Sequence, residues 1–150
     1  MTAAAHRARR GASSDQRGSV AIEIALLAPA LVLVLGLLVA GGRLWFARTT
    51  VVEAAQASAR AASLARSAGE AAVVGGDAGR SSMSTAGLRC AGASVRVSTA
   101  AFSLPVGSPA TVSSEISCDV AFGDVLLPGM PGSLHLTGRG SAALDTYRAR

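Results

Sequence analysis

The chain of 150 residues contains no lysine and no asparagine, and only 3% of its residues are aromatic. The lack of asparagine excludes N-glycosylation, which requires an Asn-x-Ser/Thr acceptor. The lack of lysine means that all 14 basic residues are arginine, and a cluster of them precedes Gly18. No aromatic side chain lies among these arginines to stack on bases, so we expect no nucleic-acid partner despite the net charge of +5.

Residues that perform catalysis or bind metals are also scarce. The chain has two histidines and two cysteines, and His135 is the one histidine outside the N-terminal leader. One histidine and two cysteines do not complete a structural zinc site. The carboxylates Glu115, Asp119 and Asp124 are spread over one predicted strand and its exit, which is typical of a solvated face. We therefore expect no enzyme activity, no cofactor and no metal site.

What the chain has instead is one long apolar run, from Ile24 to Gly42, without a charged residue. At about 1.5 Å per residue this run matches the hydrocarbon core of a bilayer, which predicts a transmembrane helix over residues 19–42. A single carboxylate, Glu23, lies at its start. An isolated charge is costly in lipid and so indicates a function. The alternative places Glu23 at the headgroup level, where the dipole of a helix N-terminus favours it.

The flanks of the apolar run predict its orientation. Residues 1–18 form a basic leader, and positively charged flanks stay in the cytoplasm. We therefore expect a single-pass protein of the cytoplasmic membrane with its C-terminal domain outside. A cleaved secretory signal would have a shorter apolar core and a small-x-small site after it. Here Arg43, Trp45 and Phe46 follow instead, and such aromatic residues are typical of the far membrane interface.

Composition divides the remainder of the chain into three parts. Residues 43–68 are rich in alanine and lack glycine and proline, which predicts a helical extension outside the membrane. Its small face, with Ala55, Ala59 and Ala62, suits contact either with the chain's own C-terminal domain or with neighbouring subunits. Residues 69–87 are rich in glycine and serine and predict a flexible linker. Residues 88–150 predict a small β domain.

Alternation of apolar and polar residues predicts the β domain. The strongest alternation runs from Thr111 to Phe122, and weaker alternation surrounds Val95 and residues 134–144. The expected product is a small, mostly antiparallel sheet packed against the upper part of the helix. The fold class is therefore α+β, with a long N-terminal transmembrane helix that extends outside the membrane.

The two cysteines fit a disulfide in this domain. Cys118 lies on the apolar face of the best strand, Cys90 precedes the first strand, and disulfides persist outside the cytoplasm. If Cys90 faces inward together with Val95, a bulge near Gly92 is needed, because the two residues have opposite parity. The alternative is two separate buried thiols.

The start of the membrane segment resembles a known processing signal. The residues from Gly18 to Pro29, GSVAIEIALLAP, resemble the class III signal of type IV pilin-like proteins. In particular they resemble the TadE-like pseudopilins of tight-adherence (Tad/Flp) pilus systems. The resemblance continues through residues 42–48 and the alanine-rich helix, and it is least specific in the cysteine-containing part.

This resemblance implies processing and assembly. A prepilin peptidase would cut between Gly18 and Ser19 on the cytoplasmic side, and glycine suits the cut because the backbone can approach the protease closely. The carboxylate of Glu23 would then neutralise the new N-terminus of an adjacent subunit and set the register between subunits. The implied partners are the prepilin peptidase, other pilin or pseudopilin subunits, the Tad assembly platform and membrane lipid.

Two functions from different classes follow from the sequence. The first is a minor pilin or pseudopilin that acts in assembly of a Tad-type pilus or a related secretion apparatus and is processed after Gly18. The second is an uncleaved, signal-anchored membrane protein whose small extracellular β domain binds a ligand. The two differ in the expected N-terminus, which is Ser19 for the first and Met1 for the second.

Overall fold

Two long helices precede the three strands, in agreement with the α+β prediction. The computed structural model describes residues 15–125 and 129–145, and for residues 15–20 it describes the backbone alone. The described elements are α1 (Asp15–Ser63), α2 (Ala68–Thr85), β1 (Ala91–Ser98), a short 3-10 helix (Ala100–Ser103), β2 (Ala110–Ala121), α3 (Phe122–Val125) and β3 (Ser133–Leu144). These elements fall into two compact units that divide between Val39 and Ala40.

The helix α1 contains the predicted membrane span. Within the described part of the chain it is the one helix whose length and composition allow it to cross a membrane, over Ala21–Ser63, with a mean hydropathy of 2.7 in its most apolar window. None of that window is buried. The helix ends at Ser63, so the predicted extension to residue 68 is too long by five residues.

The part of α1 that follows Ala40 buries one face in the C-terminal unit. Residues three and four apart share this face, as one side of an α-helix requires. They are Ala47, Thr50, Val51, Ala54, Ala55, Ser58, Ala59 and Ala62. The small face of Ala55, Ala59 and Ala62 therefore packs on the chain's own domain, which excludes the neighbouring-subunit alternative for these three residues.

The sheet has three antiparallel strands in the order β1-β2-β3. The predicted alternation of β2 is confirmed, because Val112, Ile116, Cys118 and Val120 are buried and the intervening odd-numbered residues are more accessible. The predicted bulge is confirmed as well. The register of β1 against β2 shifts between Ala91 and Ser94, around a glycine with a φ of 81°.

The sheet packs directly on α1 at two glycines of β3, as the α+β prediction requires. A Cβ atom at Gly138 would lie 2.6 Å from the carbonyl oxygen of Val51, and one at Gly140 would overlap the carbonyl of Ala55. Only glycine permits so close an approach of two backbones. The same contact is fixed by Gln56 of α1, whose side-chain oxygen accepts a hydrogen bond of 2.8 Å from the backbone N–H of Ser141.

The predicted flexible linker over residues 69–87 is wrong, because α2 occupies most of it. The helix has an N-cap, since the Ser67 hydroxyl accepts a hydrogen bond of 3.2 Å from the Glu70 N–H. The Glu70 carboxylate in turn accepts one of 2.9 Å from the Arg66 N–H. These reciprocal bonds satisfy N–H groups that have no partner inside the helix.

Glycine in α2 serves packing rather than flexibility. A Cβ at Gly79 would lie 2.9 Å from the Cδ1 of Ile116, and one at Gly75 would lie 3.0 Å from both Ala62 and Val97. Both glycines are buried. The helix thus lies close to α1 and to the sheet, and this tertiary packing overrides the low helix propensity of glycine.

Candidate functional site

The predicted processing site lies at the beginning of α1. The described part of α1 starts at Asp15, and the Gly18–Ser19 peptide bond lies within it, just before Glu23 and the apolar run.

Glu23 lies one helical turn after Ser19. Residues four apart share a helix face, so these two positions are stacked along α1. The Glu23 side chain is exposed, and it forms no hydrogen bond or ion pair with any residue that the structure describes. The structure thus places at the start of the apolar run a carboxylate that has no partner among the described residues.

The run that follows Glu23 is covered with large apolar side chains that are open to the surroundings. Each of them from Ile22 to Val39 is at least 52% exposed. A continuous apolar surface of this size is not tolerated on a protein in water and fits a lipid environment or contact with other apolar helices. This surface fits a membrane-anchored protein.

The disulfide between Cys90 and Cys118 is confirmed. Its Cα atoms are 5.3 Å apart, and the two cysteines are separated by 28 residues. Cys118 is fully buried in the central strand, and the Cys90 sulfur lies 3.9 Å from the sulfur of Met83 in α2. The bond therefore joins the segment between α2 and β1 to the centre of the sheet.

Two pairs of side chains lie on the sheet surface that faces away from the helices. The Arg139 Nε donates a hydrogen bond of 2.8 Å to the Glu115 carboxylate. His135 Nδ1 lies 2.7 Å from an oxygen of Asp119. Sequence alternation predicted that the carboxylates face solvent, but it did not identify their partners, because the register between strands decides which residues meet.

The acidic residues of the domain are not arranged as a metal site. Among the residues that the structure describes, no group of three or more His, Cys, Asp or Glu side chains could hold a metal ion. The carboxylates of Glu115 and Asp119 are each directed to a basic partner on β3 instead.

Comparison with known proteins identifies the N-terminal part of the chain. Residues 18–60 match the family model described as TadE-like protein. No curated protein and no solved structure matches the chain. The match begins at Gly18, includes Glu23 and the whole apolar run, and ends within the buried part of α1. Over residues 18–60, this chain is similar to TadE-like proteins.

Proposed function

We propose that the protein is a minor pilin or pseudopilin that acts in assembly of a Tad-type pilus or a related secretion apparatus. The observation that carries the proposal is the family match that begins at Gly18 and contains Glu23 at the head of an uncharged apolar helix. Components of this family are structural pilus proteins that interact with other pilus components. The role we propose is therefore assembly rather than catalysis.

The first step of this function is cleavage by a prepilin peptidase after Gly18. The cut removes the basic leader, residues 1–18, whose last four residues belong to the described part of α1. The new helix begins at Ser19 and carries a charged amino group at the end where the helix dipole is already positive. A carboxylate near this end is stabilising, and Glu23 is the one acidic residue of the apolar segment.

The second step is a contact between subunits. We infer that Glu23 of one subunit pairs with the Ser19 amino group of another, because a charge that enters an apolar assembly needs a partner. The pair neutralises both groups and sets the axial register of the two helices. An intrachain pair of the same groups competes with this contact, since Ser19 and Glu23 are only one turn apart.

The proposed topology follows from charge and redox chemistry. The basic leader stays in the cytoplasm with the peptidase, the apolar run crosses the cytoplasmic membrane in contact with lipid, and the remainder lies outside. The Cys90–Cys118 disulfide supports an oxidising location for the C-terminal domain. In this orientation the domain can stay at the membrane surface or enter a pilus.

Substitution of Glu23 tests the assembly role. We expect both Glu23→Ala and Glu23→Gln to lower the number of assembled pili by at least about tenfold, because each leaves the Ser19 amino group without its partner. Glu53 is the matched control, since it is an exposed glutamate on the same helix and inside the family match. Pili are counted by electron microscopy, and immunoblots measure the amount of protein in the membrane.

The alternative outcomes of this test decide whether Glu23 acts through the proposed contact between subunits. Normal pilus numbers with Glu23→Gln would contradict the pairing role. An equal loss with Glu53→Gln would assign the effect to general damage of α1. Unchanged protein levels in the membrane are required for either conclusion.

A further inference from the structure

The connection between β2 and β3, residues 122–132, lies at the end of the domain where α1 enters it. Gly138 of β3 lies against the carbonyl of Val51. Two residues later, Gly140 lies against the carbonyl of Ala55, one turn further along α1. The strand β3 therefore runs in the same direction as this part of α1. Its beginning, and the connection before it, lie beside the first residues of α1 that the domain covers.

Core packing places the connection at the same end. Val125, the last residue of α3, belongs to the buried cluster that also contains Ala47 of α1. Leu44 and Leu134 are partly buried and pack against this cluster. The connection is thus level with the segment of α1 that directly follows the apolar run.

The described parts of the connection are held together by their own contacts. The Phe122 N–H donates a hydrogen bond of 3.0 Å to the Gly132 carbonyl, and a Cβ at Gly132 would lie 2.8 Å from the Phe122 ring. A Cβ at Gly123 would lie 3.6 Å from the backbone nitrogen of Gly129. The next side chain, that of Met130, is 41% exposed. Packing therefore fixes the neighbouring backbone and leaves a large apolar side chain at the surface.

The adjacent segment of α1 has the composition of a membrane interface. Trp45 and Phe46 are 71% and 57% exposed, and they come directly after the uncharged run that ends at Gly42. Arg43 and Arg48 are exposed as well. Aromatic rings favour the headgroup level of a bilayer, and guanidinium groups pair with phosphates there. Both features belong to one end of the domain, so a membrane at the level of these aromatic residues meets the connection too.

We propose that the end of the domain around Met130 docks on the surface of the lipid bilayer, at the level of Trp45 and Phe46. Burial of Met130 among the headgroups removes apolar surface from water. The connection has one charged residue, Asp124, and the two exposed arginines of α1 outnumber it. This inference rests on the proposed topology, in which the apolar run spans the membrane. The contact holds the domain down on the membrane, so entry into a pilus requires its release.

Spin labels at two matched positions test the docking. Both native cysteines are joined in the disulfide, so Met130→Cys and Val106→Cys each provide one free thiol. Val106 is the matched control, because it is 55% exposed and lies in the connection before β2, at the opposite end of that strand from Met130. The full chain is reconstituted in phosphatidylcholine vesicles, and electron paramagnetic resonance measures collisions of each label with oxygen and with a water-soluble nickel chelate present on both sides. The ratio of oxygen to nickel collisions should be at least about threefold higher at residue 130 than at residue 106, because oxygen partitions into lipid and the chelate does not.

The fluorescence of Trp45 tests the membrane span separately. It is the one tryptophan of the chain, and brominated phosphatidylcholine should quench it if this part of α1 lies at the interface. Quenching of Trp45 together with equal collision ratios at residues 130 and 106 would overturn the docking and leave the topology intact. A lack of quenching would overturn the topology and the docking with it.

Two further outcomes would also overturn the docking. Collision ratios that are high at both labelled positions would show that the domain does not meet the membrane by one end. A ratio at residue 130 that falls to the value at residue 106 when the vesicles contain more lipid per chain would assign the protection to a second copy of the chain. A ratio that is unchanged by this dilution supports lipid as the partner.

Discussion

At the scale of single residues, two buried hydroxyl groups connect the helix to the sheet. Ser58 on α1 and Ser114 on β2 are almost inaccessible to solvent, and the Ser114 hydroxyl donates a hydrogen bond of 2.8 Å to that of Ser58. A buried polar group is tolerated when it is paired in this way. Ser114 interrupts an otherwise apolar row, and its partner, 56 positions earlier in the chain, could not be identified from sequence alternation.

A double-mutant cycle measures this connection. Ser58→Ala and Ser114→Ala should each lower the free energy of unfolding by about 1–3 kcal/mol, because each leaves one buried hydroxyl without its partner. The double variant should lose about 1 kcal/mol less than the sum of the two single variants. Denaturant unfolding of the full chain in detergent micelles gives these values. Strict additivity would show that the hydrogen bond does not stabilise the fold.

At the scale of elements, sequence periodicity identified the strands and missed one helix. Apolar and polar residues alternate along β2 and β3 because one face of the sheet is buried and the other is not, so both strands could be predicted from the sequence. The segment of α2 is rich in glycine and serine, which is typical of a linker. It is helical because it packs against α1 and the sheet. Two signals were present, namely the capping pair Ser67 and Glu70 and the recurrence of Ala71, Gly75, Gly79 and Met83 at every fourth position.

The candidate site could be predicted where the signal is local. Gly18, Glu23 and the start of the apolar run lie within a few residues of one another, so this signal can be recognised from the sequence alone. The pairing of Cys90 with Cys118 needed only the alternation of one strand and a bulge. The pairing of Arg139 with Glu115 could not be predicted, because it depends on the register between β2 and β3.

Substitution of two glycines of α2, Gly76 and Gly79, tests whether the helix needs glycine for close packing. Gly79→Ala should lower the free energy of unfolding by about 1–3 kcal/mol, because the added methyl group meets Ile116 and Val95 in the core. Gly76→Ala should be neutral or stabilise by up to about 1 kcal/mol, since the new Cβ meets only the flexible end of Arg80 and alanine favours helix. Both values come from denaturant unfolding. If both variants unfold like the wild type, α2 is not held against the sheet as the structure has it.

At the scale of the whole molecule, the two units carry different chemistry. The unit before Ala40 exposes a continuous apolar surface over residues 22–39, with the carboxylate of Glu23 near its start. The unit after it has a small core that consists mainly of alanine and valine, a polar sheet surface and one disulfide. A core of such small side chains buries little apolar area, so the covalent bond contributes a large share of its stability.

Removal of the disulfide tests how much the bond contributes to the stability of the domain. Cys90→Ala/Cys118→Ala should destabilise the domain by about 3–4 kcal/mol, the value expected for a closed loop of this length. A reducing agent should lower the unfolding midpoint of the wild type to a similar extent and leave that of the double variant unchanged. An unfolding midpoint of the variant equal to that of the oxidised wild type would show that the bond is dispensable for stability.

The proposed processing at Gly18 is tested by the N-terminus of the mature chain. Mass spectrometry of the protein extracted from membranes of cells that contain the prepilin peptidase should give a chain that begins at Ser19. Gly18→Val should retain the leader, because the larger side chain blocks the close approach of the peptidase, whereas Gly11→Val in the same leader should be cleaved normally. A wild-type chain that still carries residues 1–18 in the membrane would contradict the account and favour an uncleaved anchor.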